Sequence, residues 1–191
     1  MNNKGQNTIN RIKSEAMKLF LQRGYKDVSM QDICNACNLS KGGLYRHFGS
    51  KSEILLSLVQ AERQYDVQEQ MGKGTPAVDI LNQYLDIFYQ NMLMSDRSLA
   101  FALYEYAVTE KDSGLLCEDE SDIGIWKSLI SYGISRGEFN DVDYRSVMNT
   151  LLYAYRGIRM WSRAISIDEN VPRSVIEMIK HTVIKNYKED R

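Results

Sequence analysis

Apolar residues recur at three- and four-residue spacing along most of the chain, which is the pattern of amphipathic helices. In the first such segment Ile12, Ala16 and Phe20 share one face, Thr8 is a candidate N-cap and Gly24 follows the end. The pattern predicts no strand and an all-α fold. We expect about nine helices, over about 8–23, 30–37, 41–47, 50–70, 75–94, 95–109, 123–136, 142–163 and 170–187.

Small polar residues mark the starts of several predicted helices. Ser29 and Ser40 are placed to cap the second and third, and Ser50 is followed three residues later by Glu53, as in a capping box. After a glycine-rich break, Thr75-Pro76 has the cap and first-position residues that begin a helix. The first three helices therefore lie within about fifty residues.

Residues 29–48 read SMQDICNACNLSKGGLYRHF and contain two short predicted helices joined by a tight turn. Ile33 and Leu44 would pack the two helices together. Asn38 lies at the turn, and asparagine tolerates the left-handed backbone that such a turn needs. Two short helices joined in this way make a helix-turn-helix, whose second helix fits the major groove of DNA.

The residues predicted to be exposed on that second helix and just beyond it are polar or small: Ser40, Lys41, Gly42, Gly43, Tyr45, His47 and Lys51. The serine and the free amides at the helix start suit a phosphate. The first lysine suits a base edge or a phosphate, and the second would hold the flanking strand. Two glycines in a short helix oppose helix formation, which is reasonable if the backbone approaches a partner closely. The alternative is that the tyrosine and histidine are half-buried packing residues.

Charge is distributed unevenly along the chain, although the net charge is only −1. Residues 1–51 contain nine Lys or Arg and three Asp or Glu, whereas residues 52–191 contain 15 basic and 22 acidic residues. A basic segment attached to an acidic one indicates that the first part meets a polyanion. We therefore expect a DNA-binding domain over 1–51 and a second helical domain over 52–191.

The sequence resembles the TetR family of bacterial transcription regulators over about residues 8–55. The resemblance lies in the stretch LFLQRGYKDVSMQDI and above all in LSKGGLYRHFGSKSEIL, with its Tyr-x-His-Phe core followed by a lysine. It implies a homodimer of all-helical subunits. Each subunit would have a three-helix DNA-binding head, followed by about six helices that form a ligand pocket and the dimer interface.

The resemblance also implies roles for single residues. It places Ser29, Tyr45, His47 and Lys51 on phosphates, and Lys41, Gly42 and Gly43 towards bases. Two positions depart from the family pattern. Asn38 stands where the turn usually holds glycine, and Gly43 stands where a serine or threonine is common. The second departure removes a side chain that would read a base.

Large aromatic residues are frequent between residues 84 and 161, where they suit either a core or the lining of an apolar ligand pocket. Glu105 would balance a cationic ligand, whereas Arg156, with Arg159 and Arg163 along one helix face, would hold an anionic one. These two hypotheses conflict, so the charge of the ligand stays open. The candidate pocket residues are Tyr84, Phe88, Phe101, Tyr104, Glu105, Trp126, Tyr153 and Arg156.

The resemblance places the dimer interface on the last two helices, about 142–163 and 171–187. Gly157 would allow close approach between helices. The other candidate contacts are apolar: Val147, Leu151, Met160, Val175, Met178 and Ile179. A dimer also suits DNA binding, because two recognition helices read two half-sites about one helical turn apart.

Several functional classes are disfavoured. No apolar run is long enough to span a membrane, and the first residues lack a secretory signal, so we expect a cytoplasmic protein. Cys34 and Cys37 fall inside a predicted helix without a second pair of metal ligands, and Cys117 lies in a predicted acidic loop over 110–122. We expect no metal, no cofactor and no enzymatic activity, because phosphate-cradling and nucleophile motifs are absent from the sequence.

The sequence therefore predicts a repressor that leaves its DNA operator when an unidentified small-molecule effector binds the second domain. The alternative is a DNA-binding dimer of the same fold that is regulated by, or acts on, a protein partner without a small ligand. An enzyme on a helical scaffold is the least favoured reading.

Overall fold

The computed structural model of the chain describes residues 3–59, 66–94, 98–111 and 120–188. These residues form ten helices and a single isolated β-bridge. The helices are α1 (Asn3–Arg23), α2 (Met30–Ala36), α3 (Lys41–Tyr45), α4 (Lys51–Val59), α5 (Val67–Gly72), α6 (Ala77–Leu93), α7 (Ala100–Glu110), α8 (Glu120–Ser135), α9 (Tyr144–Trp161) and α10 (Asn170–Val183).

The chain divides into two compact units. The first unit comprises residues 1–63 and 97–116, and so contains α1 to α4 and α7. The second unit comprises residues 64–96 and 117–191, with α5, α6 and α8 to α10. This division reflects packing alone, and the functional boundary at residue 51 stays a prediction.

In the first unit, α1 buries the apolar face that the sequence pattern predicts. Ile12, Ala16 and Phe20 are almost completely buried, together with Ile33 of α2 and Leu44 of α3. These side chains belong to one apolar cluster, so burial of their surface holds α1, α2 and α3 together.

The second unit is built around α6, α8, α9 and α10. Its core includes Trp126, Leu85 and Leu151, all fully buried. The segment after α8 is tied to the end of α10, because the backbone N–H of Asn140 donates to the carbonyl of Val183 at 2.8 Å. The isolated bridge lies at the same place, between residues 139 and 184.

Several predicted helix boundaries are wrong. α1 begins five residues before Thr8, which therefore lies inside the helix. Pro76, rather than Thr75, is the N-cap of α6 and makes no side-chain cap bond. The predicted helix over 50–70 covers α4 and the first residues of α5, and residues 60–65 between them lie outside the described part of the chain.

The acidic segment is also partly outside the described residues. The predicted loop over 110–122 falls largely on residues 112–119, as does Cys117, and these are not described. α8 begins at Glu120, three residues earlier than expected. Within the described residues, no helix has the length and apolar character needed to cross a membrane.

Candidate nucleic-acid interface

The turn between α2 and α3 has the geometry that the sequence indicates. Asn38 has a φ of 49°, in the left-handed region. The backbone N–H of Leu39 donates to the carbonyl of Cys34 at 2.9 Å, which closes the end of α2. Since asparagine tolerates this conformation better than most side chains, the predicted turn residue is confirmed.

The start of α3 is capped as predicted. The Ser40 hydroxyl accepts a hydrogen bond from the backbone N–H of Gly43 at 3.1 Å. Lys41 and Gly42 are exposed in the first turn, beside the N–H groups that no helical carbonyl satisfies. Exposed amides next to a lysine are suited to an anion such as a phosphate.

Gly43 does not lie on this exposed face. It is buried, and an added Cβ would come within 3.2 Å of the Ser40 hydroxyl and 3.8 Å of Leu39. The prediction of an exposed glycine at this position is therefore wrong. A residue without a side chain is favoured here because α3 packs closely against its own N-cap.

Tyr45 and His47 differ in exposure. The Tyr45 side chain is 51% exposed at the end of α3, whereas His47 is half-buried just after it. The hypothesis that both are packing residues is wrong for the tyrosine, since an exposed ring on a five-residue helix contributes little to the core.

Arg46 is a residue that the sequence reasoning did not include. It is the C-cap of α3 and is exposed between Tyr45 and His47. A cation at this place adds to the positive charge of the α3 surface. The signal was present in the sequence as a basic residue directly after the predicted recognition positions.

Ser29 and Asp32 form a reciprocal capping box at the start of α2. The backbone N–H of Asp32 donates to the serine hydroxyl at 3.1 Å, and the backbone N–H of Ser29 donates to the aspartate at 2.8 Å. The bonds from Ser29 hold the pKa of this carboxyl below its usual range. The Ser29 hydroxyl also donates to the aspartate, so both donors of Ser29 are used within the capping box, and its phosphate contact stays a prediction.

Lys51 has partners within its own unit. Its Nζ donates to the backbone carbonyls of Tyr25 and Val28, both at 2.8 Å, and lies 4.1 Å from the centre of the Tyr25 ring. Burial lowers the pKa of the ammonium, while the carboxylates of Glu110 and Glu105 act in the opposite direction. Two of its three donors are therefore used to hold a turn, and its phosphate contact stays a prediction.

An open groove of about 580 Å³ adjoins these residues in the first unit. Ser29, Tyr45 and Lys51 all line it, and so do Lys26 and Ser50. The structure thus brings together three of the four residues to which the resemblance assigns phosphate contacts. His47 is not among the residues that line the groove.

The candidate ligand-pocket residues fall in different units. Phe101, Tyr104 and Glu105 lie on α7 in the first unit, and the other five lie in the second. These positions therefore belong to both units, and their role in ligand binding stays a prediction. Glu105 is bonded to backbone groups, because its Oε2 accepts the N–H of Tyr25 at 2.7 Å.

In the second unit, the predicted pocket rings pack on one another. Tyr84 lies 5.4 Å from Trp126 and 5.3 Å from Phe88, measured between ring centres. Phe88 in turn lies edge-on to Tyr155 at 5.0 Å. Trp126 is completely buried, and Tyr153 is 69% exposed. These rings therefore include core residues as well as surface residues.

A polar groove of about 370 Å³ lies along α6 and α10, and none of the positions predicted to bind a ligand lines it. Asp86 and Glu177 contribute carboxylates, and Arg173 and Lys180 contribute cations. Although burial raises the pKa of Glu177, hydrogen bonds from Tyr187 and Lys180 bring it below its usual range. Sequence reasoning missed this groove because its residues are far apart along the chain.

Three candidate interface residues are core residues. Val147, Leu151 and Ile179 are 4%, 0% and 2% exposed. Their own chain already covers them, so the prediction that they contact a second subunit is corrected. Met178 is 47% exposed, and the remaining candidates, Gly157, Met160 and Val175, are half-buried.

The CxxC pair lies in the core of the first unit. Cys34 and Cys37 are both buried and free. Burial raises the pKa of the Cys37 thiol, which disfavours the thiolate needed for metal binding or redox chemistry. Across the described residues, no group of three or more possible metal ligands occurs.

Residues 12–58 match the family described as "Bacterial regulatory proteins, tetR family". The chain is 33% identical to the HTH-type transcriptional regulator YuxN of Bacillus subtilis over 95 residues, which are 47% of this chain and 32% of YuxN. It is 22% identical to YerO of the same organism over 186 residues, 91% of this chain and 63% of YerO. The helix-turn-helix segment of the chain is thus that of the TetR family. The chain spans less than two-thirds of the length of each of these HTH-type relatives.

The likeness in fold to solved structures extends through both units. NalD of Pseudomonas aeruginosa, described as the secondary repressor of the MexAB-OprM multidrug efflux pump, superimposes with a TM-score of 0.70 at 17% identity. The match covers 95% of this chain and 99% of NalD. The predicted all-α fold, with a helix-turn-helix followed by further helices, is confirmed. TetR-family proteins are regulators of transcription rather than enzymes.

Proposed function

We propose that the chain binds double-stranded DNA through α3 and thereby regulates transcription. The observation that carries this proposal is the exposed surface of α3, where Lys41, Tyr45 and Arg46 project from a helix whose start is capped by Ser40. A helix with exposed cations and free N-terminal amides suits a major groove bordered by phosphates. The excess of basic residues in 1–51 favours the same partner.

The acting form in this proposal is a homodimer. Exposed apolar side chains on α9 and α10 support it: Tyr153, Trp161 and Met178 are 69%, 56% and 47% exposed. A Cβ added to Gly157 would meet nothing within 4 Å in the chain itself. Gly157→Ala therefore tests whether α9 packs against a second subunit at this position. If it does, the added methyl group weakens self-association; if it does not, the change only raises the helix propensity of α9.

The finer proposal is a repressor that a small molecule releases from DNA. Release requires only that the ligand bind more tightly to a conformation whose recognition helices no longer fit the duplex. The groove along α6 and α10 has a volume suitable for a small ligand. Its mixed charges, and the Asn82 Oδ1 that is buried without a hydrogen-bond partner among the described residues, favour a polar ligand with a donor group.

Regulation by a protein partner without a small ligand is the second candidate. The observation that favours it is the packing of the Tyr84, Phe88 and Trp126 rings against one another, since residues expected to line an apolar pocket fill core space instead. A panel of polar small molecules tested for DNA release separates the two candidates. If a compound releases the protein from DNA and Arg173→Ala and Lys180→Ala abolish this effect, the groove is the ligand site. If no compound releases the protein, regulation by a protein partner is favoured.

The DNA-binding proposal is tested with a duplex that the wild-type protein selects from a randomised pool, called here the selected duplex. We expect Tyr45→Ala to weaken binding to the selected duplex and to a random-sequence duplex alike, and Lys41→Ala to reduce the preference for the selected duplex. Lys73→Ala is the matched control, because this exposed lysine lies on the surface of the second unit and pairs with Glu69. Failure to select any duplex, or equal losses in Lys73→Ala, would contradict the proposal.

A further inference from the structure

The turn that joins α1 to α2, residues 24–29, is held by side chains from two helices that are distant in sequence. A single carboxylate oxygen of Glu105, on α7, accepts the backbone N–H groups of Tyr25 at 2.7 Å and Lys26 at 3.2 Å. From α4, the Lys51 ammonium binds the carbonyls of Tyr25 and Val28. Both the donors and the acceptors of the turn are thus bonded to charged side chains, and such bonds are stronger than those between neutral groups.

Gly24 makes room for the carboxylate. Its φ is +77°, and a Cβ at this position would lie only 2.2 Å from Oε2 of Glu105. The absence of a side chain therefore serves two purposes, since glycine reverses the chain after α1 and lets the carboxylate reach the next two amides.

The tyrosine of the turn is bonded to α7 as well. Tyr25 is 1% exposed, its hydroxyl donates to Glu110 at 2.9 Å, and its ring lies edge-on to Tyr106 at 5.3 Å. Burial raises the pKa of the phenol, and the Glu110 carboxylate raises it further, so the hydroxyl remains a donor. α7 therefore contacts both the backbone and the side chain of the turn.

The turn ends at Ser29, which caps α2, and α2 packs against α3. We propose that Glu105 is a positioning residue for DNA binding, which fixes the turn over 24–29 so that α2 and α3 hold the orientation a specific duplex requires. This inference rests on the proposed DNA-binding function. It assigns Glu105 a role in place of the ligand contact that its sequence position between two tyrosines indicates.

The test compares three variants of the full chain. Glu105→Met removes the acceptor but keeps a long, helix-favouring side chain, and Glu105→Gln keeps a neutral oxygen that accepts both amides. Glu15→Ala is the charge control, because it removes a half-buried acid of α1 that pairs with the exposed Lys18. Two quantities are measured: hydrogen exchange of the Tyr25 and Lys26 amides without DNA, and affinity for the selected and random-sequence duplexes.

We expect Glu105→Met to accelerate exchange of both amides and to lower affinity for the selected duplex by about tenfold or more, as the loss of both hydrogen bonds implies. Random-sequence binding should fall by less than about twofold, because it depends on charge rather than on fixed geometry. Glu105→Gln should restore most of the exchange protection and most of the specific affinity. Glu15→Ala should leave the exchange of both amides unchanged and should not lower the affinity for either duplex.

The inference is overturned if Glu105→Met binds the selected duplex as tightly as Glu105→Gln does. Equal losses of affinity for the two duplexes also overturn it, since they indicate general unfolding. Equal losses of affinity in Glu105→Met and Glu105→Gln overturn it as well, since they indicate an effect of charge alone. If the wild-type chain binds neither duplex, the proposed function fails. The amide exchange of the Met and Gln variants then decides separately whether Glu105 fixes the turn.

Discussion

The two units use their most conspicuous side chains differently. In the first, Lys51, Glu105 and Asp32 bond to backbone groups of the turns around α2. In the second, the rings of Tyr84 and Trp126 pack together in the core. Charged residues that read as ligand contacts can therefore be structural, and aromatic residues that read as a pocket can be core. The contacts that a charged or aromatic side chain makes within its own chain therefore have to be known before a function is assigned to it.

The largest expected effect comes from the rings of the second unit. Trp126 is completely buried, so Trp126→Ala should lower the free energy of unfolding by about 3–5 kcal/mol. Urea unfolding followed by circular dichroism measures this loss. A loss of unfolding free energy below about 1 kcal/mol would mean that the Trp126 ring borders a space that collapses or fills with solvent. That result would favour the predicted ligand pocket.

A second test concerns the packing of α8. A Cβ on Gly133 would lie 2.1 Å from the buried Phe139 ring, so Gly133→Ala should destabilise the chain by about 1–3 kcal/mol. Gly124 is the matched control in the same helix, where a Cβ meets nothing within 4 Å. Gly124→Ala should instead stabilise by about 0.5–1 kcal/mol through helix propensity. Similar effects of the two changes would refute close packing at Phe139.

The two lysines predicted to contact DNA, Lys41 and Lys51, provide the next comparison. Lys51→Met should lower the free energy of unfolding by about 1–3 kcal/mol, because two backbone carbonyls lose their charged donor. Lys41→Met should change it by less than about 0.5 kcal/mol, since the residue is exposed. Chemical unfolding of both variants checks this difference. If the two variants are equally stable and only Lys51→Met loses affinity for DNA, Lys51 contacts a phosphate and does not stabilise the turn.

The smallest expected effect tests whether charged side chains also hold turns in the second unit. Burial raises the pKa of Glu138, but bonds from Arg136 and the Val78 amide bring it below its usual value. A carboxyl whose pKa is lowered by folding contributes stability above its unfolded pKa and loses it as the pH falls. The wild type should therefore exceed Glu138→Gln by up to about 1 kcal/mol at pH 7, and the two should converge near pH 3.

Unfolding curves from about pH 3 to pH 7 measure this convergence, and Glu169→Gln is the control, because that side chain makes no cap bond at the start of α10. A difference between wild type and Glu138→Gln that does not change with pH would show that the carboxylate charge plays no part.

The sequence predicted the first unit better than the second for a physical reason. Ser29, Asn38 and Ser40 act on backbone groups within a few residues, so their roles depend on local sequence. The partners of Lys51 and Glu105 lie 23 to 80 residues away, and no local pattern reveals them. Distance along the chain, rather than residue type, limited the prediction.

The same limit applies to the second unit. Periodicity identified α9 and α10 as amphipathic, but it did not show which apolar residues face their own chain. Leu151 and Ile179 belong to the core, whereas Met178 is 47% exposed. The polar groove along α6 and α10 combines residues nearly a hundred positions apart, such as Asp86 and Arg173. Only the packing of the helices brings such residues together.

The salt dependence of DNA binding tests the central claim, that α3 meets a phosphate backbone, most directly. We expect the affinity of the wild-type chain for the selected duplex to fall at least about a hundredfold between about 50 and 200 mM salt, because phosphate contacts release counterions. An affinity that stays constant over this range would contradict the assignment of α3 as a DNA-binding helix.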